Sequence, residues 1–286
     1  MANALNRTDF VGFIEVKNSN PNGDIDMGNM PRQDDDGYGY MTDVCIKRKI
    51  RDAVALTMQG KKGYELYINN DNTALETKAS EPVRMMDEKK FEAMSTDDKD
   101  AYLKDFMLKK YFDIRAFGAV VTTYTTNKWC DGQVKGPVQI SFAESLEPIE
   151  PKEITVSRVS VTTEKDKKIK DRELGKKWVV PYGMYRFEGH ISADLANKAG
   201  FTEEDRDILL DAIWNMYENS KSASQNDITV KNLFVFNHGS RLGNARFSDL
   251  NKMIKIDPEK TQFGKKTYNI SLEGDAPDGV EIKVYR

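Results

Sequence analysis

Five aspartates crowd the stretch between Asn18 and Tyr40: Asp24, Asp26, Asp34, Asp35 and Asp36. Neighbouring carboxylates can hold Mg²⁺ against a phosphate, so this cluster is where a metal-dependent nuclease reading would start. Loop aspartates also close turns by bonding to their own backbone. With no histidine or glutamate at a convincing distance, the turn reading outweighs the catalytic one. The two histidines, His190 and His238, lie far apart in the chain. His190 alternates with Arg186 and Glu188 on a strand, and His238 closes a core strand, so neither is expected to act as an acid or base. Cys45 and Cys130 have neither disulfide-framework nor metal spacing. Phosphate-binding, dinucleotide and HExxH signatures are absent. No catalytic residue, metal or cofactor is expected.

Cations make a different pattern. Thr42 or Asp43 can cap a helix running to about Met58, on which Ile46, Ile50, Ala53 and Thr57 share one face and Lys47, Arg48 and Arg51 another. An apolar side would pack on a sheet and leave the basic side free. Lys47 and Arg51, one helical turn apart, could then reach adjacent phosphates of one strand. A solvated face is the plain alternative. Residues 151–177 hold nine Lys or Arg against five acids, net +4, whereas 201–218 hold six acids against Arg206, net −5. The chain as a whole is at −3 with a pI near 5.7, against the basic excess usual in nucleic-acid binders. Such polarity allows phosphate on one side only.

The elements that must position these residues follow from periodicity. Thr8 to Lys17 alternates as a strand, and Asn18 to Tyr40 reads as a long loop. Residues 60–110 read as a helical insertion. Phe112–Tyr124 and Gly136–Leu146 are β-prone, and Trp178–Ser192 alternates again. The basic segment between the last two has β-prone arms, 154–163 and 176–180, and reads as a protruding hairpin whose charged middle stays in water. Thr202 with its acidic first turn starts a helix to about Asn219. Asn232–His238 is the final core strand. The expected fold is therefore α+β, in the βαββαβ order of a ferredoxin-like or RNA-recognition-motif domain. The aromatic-rich signature of that motif's central strands is missing, which suits a protein that grips backbone and leaves base edges free. No run approaches the roughly 20 apolar residues of a membrane span. The opening MANALNRTDF lacks a secretory core, and a cytoplasmic location without membrane contact is expected.

Several stretches resemble the backbone-subunit family of type I CRISPR Cascade complexes, in the variety found in type I-C and its I-B relatives. They are Asn20–Arg32 (NPNGDIDMGNMPR), Thr42–Asp52 (TDVCIKRKIRD), Asp113–Ala119 (DIRAFGA), Gly136–Leu146, Val180–Arg186 (VPYGMYR) and Phe236–Ala245 (FNHGSRLGNA). The resemblance implies one RRM-like palm over 1–286, a helical finger region at 60–125 and a thumb hairpin at 151–180. It implies non-catalytic binding of crRNA, head-to-tail oligomers of the chain along that guide, contact with other Cascade subunits, and target DNA met through the crRNA. Carried over by motif, Lys47 and Arg51 hold guide phosphates, with Arg48 and Thr42 beside them and Asn20, Asn22 and Arg32 flanking. Arg158, Lys176 and Lys177 follow at the thumb base, with Ile169 or Leu174 nearer its tip. Repeated weak grips give avidity without a large positive field on any one copy. Two rivals remain: target-RNA cleavage by Asp24 or Asp26, as in distant type III backbone subunits, and a stand-alone RRM-type binder of single-stranded RNA.

Overall fold

A computed structural model describes residues 5–86, 88–120, 133–158, 173–262 and 264–286. Its organising strand is β1 (Thr8–Ser19), which pairs antiparallel with β10 (Glu173–Ile191) on one side and β11 (Ile228–His238) on the other. β1 and β10 lock through two reciprocal glycine–aromatic contacts. A Cβ at Gly12 would lie 2.2 Å from the Phe187 ring, and one at Gly189 would lie 1.9 Å from Phe10. Each ring occupies the space its cross-strand glycine leaves open.

The sheet runs β14 (Val280–Tyr285), β11, β1, β10, β8 (Ala143–Pro148), β4 (Tyr38–Met41). The short β7 (Val138–Ile140) and β9 (Lys152–Arg158) also pair with β10. Two layers cover this sheet. Against Phe10, Ile14 and Val16 pack α1 (Asp43–Thr57) and, after α6 (Ala193–Ala199), α7 (Glu203–Asn215). Against Val11, Phe13, Phe234 and Phe236 pack α8 (Phe247–Lys252) and a hairpin of β12 (Ile254–Lys260) and β13 (Lys266–Leu272). Phe13 and Phe234 meet edge to face at 6.2 Å in this second layer. Fully burying such a ring contributes roughly 1.5–3 kcal/mol. The aromatics that an open sheet would offer to bases are thus covered.

Local signals placed several elements. Thr42 caps α1 by accepting from the Cys45 amide at 3.2 Å, and Thr202 caps α7 in a reciprocal box with Asp205. On α1, Ile46, Ile50, Ala53 and Val54 are buried. Thr57 differs from expectation: it is exposed in the last turn, its hydroxyl returned to the Ala53 carbonyl.

Other expectations need correction. The β-prone 112–124 segment opens instead as a helix, α5 (Phe112–Phe117), followed by the short β5 (Gly118–Val120), which pairs with β6 (Gln133–Lys135). Its positions 121–124 lie outside the described residues. The helix wins because Asp113 and Arg115 are both drawn into buried ion pairs, with Arg51 and Asp205. The 136–146 strand is broken at Ser141 and Phe142, where the Ser141 hydroxyl accepts from the Glu188 amide. The loop 18–40 contains a small ladder of β2 (Gly23–Asp24) and β3 (Met30–Pro31) before β4. α7 ends at Asn215, and β11 is followed by three more strands. Residues 75–117 do carry helices: α2 (Leu75–Met85), α3 (Glu88–Glu92), α4 (Thr96–Lys110) and α5, around a separate small core of Tyr67, Ala79, Met107, Tyr111 and Ile114. Among the described residues no helix is long and apolar enough to cross a membrane.

Candidate nucleic-acid interface

Three segments meet at the end of the sheet where β1 stops: the 20–41 loop with the start of α1, the 220–227 loop before β11, and the root of the β9–β10 hairpin. Ser19 pairs with Val180, so beyond that point β10 continues without β1 and pairs with β9 alone. Asn22 joins loop to helix, its side-chain oxygen accepting from the Thr42 amide at 3.0 Å and hydroxyl at 3.3 Å. Asn20 joins both loops: its amide donates to the Ser224 carbonyl, its carbonyl accepts from Gln225, and its side-chain nitrogen donates to the Asn29 carbonyl at 2.8 Å. Thr42, Asn20 and Asn22 are thus engaged in fixing the loops.

The cations on α1 divide by depth. Arg51 was expected on a free face, but it is 8% exposed, its Nε donating to Asp113 at 2.9 Å. Asp113 also accepts from the Tyr67 and Ile68 amides, which pins the 64–70 segment to α1. Burying a charge requires such a partner, and a helical wheel cannot show one 62 positions away. Lys47 and Arg48 are shallower. Lys47 pairs with Asp43 at 2.9 Å and lies 5.8 Å from the Phe117 ring, while Arg48 pairs with Asp52 at 2.9 Å and reaches Asn70. Both are partly exposed i,i+4 pairs, worth about 0.3–0.5 kcal/mol and easily exchanged for a phosphate.

Two further residues belong here that the motif reading passed over. Lys49 donates to Gln225 at 2.7 Å and lies 5.7 Å from the Tyr217 ring, with burial pushing its pKa down. Phe117 lies under both Lys47 and Arg51, at 5.8 and 5.2 Å. The Lys47–Arg48–Lys49 run was the available signal for Lys49. Phe117 falls within the DIRAFGA stretch, which was the available signal for it.

In the aspartate-rich loop, Arg32 pairs with Asp24 at 2.8 Å, and Asp24 also accepts from the Asp26 amide. Asp34 accepts from the Asp36 and Tyr38 amides. These are turn bonds. Among the described residues no group of three or more metal-capable side chains comes together. The Asn20 side-chain oxygen and Arg32 Nε are buried with no hydrogen-bond partner.

On the hairpin, Lys176 is exposed and pairs with Glu153 at 2.6 Å, and Lys177 is half-buried opposite Ile154. As consecutive strand residues they point to opposite faces, so one phosphate cannot take both. Arg158 pairs with Glu173 and Leu174 with Ser157 in the ladder; the side chains of Arg158 and Leu174 and all of Ile169 lie outside the described residues.

The two histidines, distant in sequence, converge at the opposite end of β1. His190 Nδ1 lies 2.7 Å from Asp9, and His238 Nε2 lies 3.0 Å from the same carboxylate, which Arg7 also engages at 2.9 Å. His238 Nδ1 accepts from the Asn244 amide, so its Nε2 carries the proton toward Asp9. The FNHGSRLGNA stretch therefore anchors the fold through His238 and Asn244.

The chain is similar in sequence and in fold to known proteins. The family model for CRISPR-associated protein Cas7 matches residues 6–273. A CRISPR-associated protein Cas7 of Haloferax volcanii is 24% identical over 235 residues, 77% of this chain and 66% of that relative, so the match spans slightly under two thirds of the relative's length. A chain of a solved CRISPR RNA-guided surveillance complex in a pre-nicking state has a similar fold, with a TM-score of 0.53 at 14% identity, covering 85% of this chain and 81% of that one. With a mixed α/β fold built on a large antiparallel sheet and a family match across most of its length, the chain belongs to the CRISPR-associated protein Cas7 family.

Proposed function

We propose that this chain is a non-catalytic backbone subunit of a type I Cascade complex, of the I-C variety, in which copies coat a crRNA head to tail and present it to target DNA. One observation carries the reading. The sheet face is closed by α8 and the β12–β13 hairpin, while exchangeable cations gather at the sheet's end, so phosphates have partners and bases have no open platform on that face. The strand order β11–β1–β10–β8, with α1 and α7 on one face, supports an RRM-type palm. The 60–125 region would be the finger and 151–180 the thumb.

Lys47 and Arg48 exchange their carboxylate partners for phosphates in this reading. Lys49, Lys176 and Lys177 border the path, and Arg158 extends it along the hairpin. Arg51 acts from beneath, holding the helix to the segment that Asp113 pins. Asn20, Asn22, Thr42 and Arg32 shape the loop that flanks the path. An end-on contact between unlike surfaces of successive copies is open and makes a filament whose length the RNA sets. Native mass spectrometry on RNAs of increasing length tests this. Copies per RNA should rise stepwise with length, and a fixed monomer or dimer on every RNA would instead favour a stand-alone binder.

A further inference from the structure

The two edges of the large sheet are finished differently. At β4 the preceding loop takes the outer side: the Asp34 amide donates to the Tyr38 carbonyl, and the Tyr40 amide donates to the Arg32 carbonyl. At the other edge β14 pairs with β11 in unbroken register, from Leu233 opposite Tyr285 to His238 opposite Val280. Among the described residues nothing pairs with the far side of β14. The Gly279 carbonyl accepts from the Gly239 amide of the β11 side, so by alternation the backbone groups of Ile282 and Val284 point outward. An unpaired row of this kind is a template for another strand, and β14 has neither the proline nor the bulge that would blunt it.

Its charges are arranged symmetrically about Ile282. Glu281 and Lys283 flank it, Val280 and Val284 come next, and Asp278 and Arg286 lie just beyond. Laid antiparallel on a second copy about Ile282, Glu281 faces Lys283, Val280 faces Val284 and Asp278 faces Arg286. Sliding the pair to centre on residue 281 or 283 would set Glu281 or Lys283 against itself, so opposite charge selects one register. Glu281 is exposed and makes no ion pair with a described residue. Lys283 is exposed 4.6 Å from the Tyr285 ring, which α7 holds through Trp214 and Asp211. Ile282 and Val284 are only partly buried against the second layer, and a neighbouring strand would complete their cover.

We propose that, free of RNA, two copies pair antiparallel along β14 about a two-fold axis at Ile282, joining their sheets into one. Such a contact uses the same patch on both copies and closes on two, unlike the open end-on contact of the coat. It does not rest on the RNA-coating reading.

Sedimentation of nuclease-treated protein tests it. The wild type should reach a dimer as concentration rises. Glu281→Lys sets lysine against Lys283 on both sides of the axis and should weaken the dimer by about tenfold or more, as should Lys283→Glu. An equimolar mixture of the two variants restores opposite charge at every facing pair and should dimerise about as tightly as the wild type, a recovery that a damaged fold would not give. Ile282→Cys should crosslink to its own copy on oxidation, and Val284→Cys, which faces Val280, should not. A wild type that stays monomeric up to its solubility limit, single variants that dimerise as tightly as the wild type, or a mixture that does not recover overturns the pairing. Stepwise loading on RNA is read separately and stands or falls without it.

Discussion

The two ends of β1 handle charge in opposite ways. At its start, Asp9 is 1% exposed and collects Arg7, His190 and His238, and His238 in turn accepts from Asn244. At its finish, Lys47, Arg48 and Lys176 each hold a carboxylate they share with solvent, and Asn20 and Arg32 keep buried polar atoms without partners. A closed network fixes three chain segments in one arrangement, whereas single solvated pairs can trade a carboxylate for a phosphate at little cost. Sites that must release and rebind a ligand require the second kind. Arg51 shows that the distinction is one of depth: it stands one helical turn from Lys47 yet belongs with the closed kind.

That contrast can be broken experimentally. The largest effect is expected from Arg51→Ala, which leaves the buried Asp113 carboxylate without its partner and should cost about 3–5 kcal/mol in urea unfolding. Asp9→Ala follows, since it strips the buried His238 of its acceptor and should cost about 1–3 kcal/mol. Losses under about 1 kcal/mol would place these pairs with the solvated ones.

Acid should sharpen the contrast next. Burial alone would raise the Asp9 carboxyl, but hydrogen bonds from His190, His238 and Arg7 outweigh it and hold the group below its ordinary 3.8. A depressed carboxyl contributes fully above the unfolded value and loses that contribution as pH falls through the folded one. Stability should therefore fall more steeply below about pH 4 in the wild type than in Asp9→Asn, measured by urea midpoints across pH. Parallel curves would remove Asp9 from the acid response.

The smallest effect on stability is expected from Lys47→Ala with Arg48→Ala, under about 1 kcal/mol because both pairs are solvated. The same double variant should lose RNA affinity clearly. A stability loss matching that of Arg51→Ala would show that these cations also belong to the scaffold.

How much of this was legible in the sequence depended on range. β1, α1 and α7 announce themselves through alternation and capping residues, which act over four or five positions. α5 did not, because Phe112 to Phe117 is β-prone by residue type and its helix is set by Asp113 and Arg115 reaching Arg51 and Asp205. For the same reason the basic face of α1 was drawn too wide. The closure of the second sheet face was also out of reach, since β12 to β14 follow the strand at which the βαββαβ order ends. His190 and His238 read as a solvated and a core position, and only the fold brings both to Asp9. The Asn20–Arg32 and Thr42–Asp52 stretches fold together at one end of the sheet, but most of their polar residues proved to be fastenings within it.

The most direct test of the phosphate grip is the salt dependence of binding to a short single-stranded RNA by the wild type and by Lys47→Ala with Arg48→Ala. Each phosphate contact on a single strand contributes about 0.7 to the slope of log affinity against log salt. The double variant should bind more weakly and with a slope shallower by about 1.4. An unchanged slope and affinity would show that the opening helix does not hold the RNA backbone.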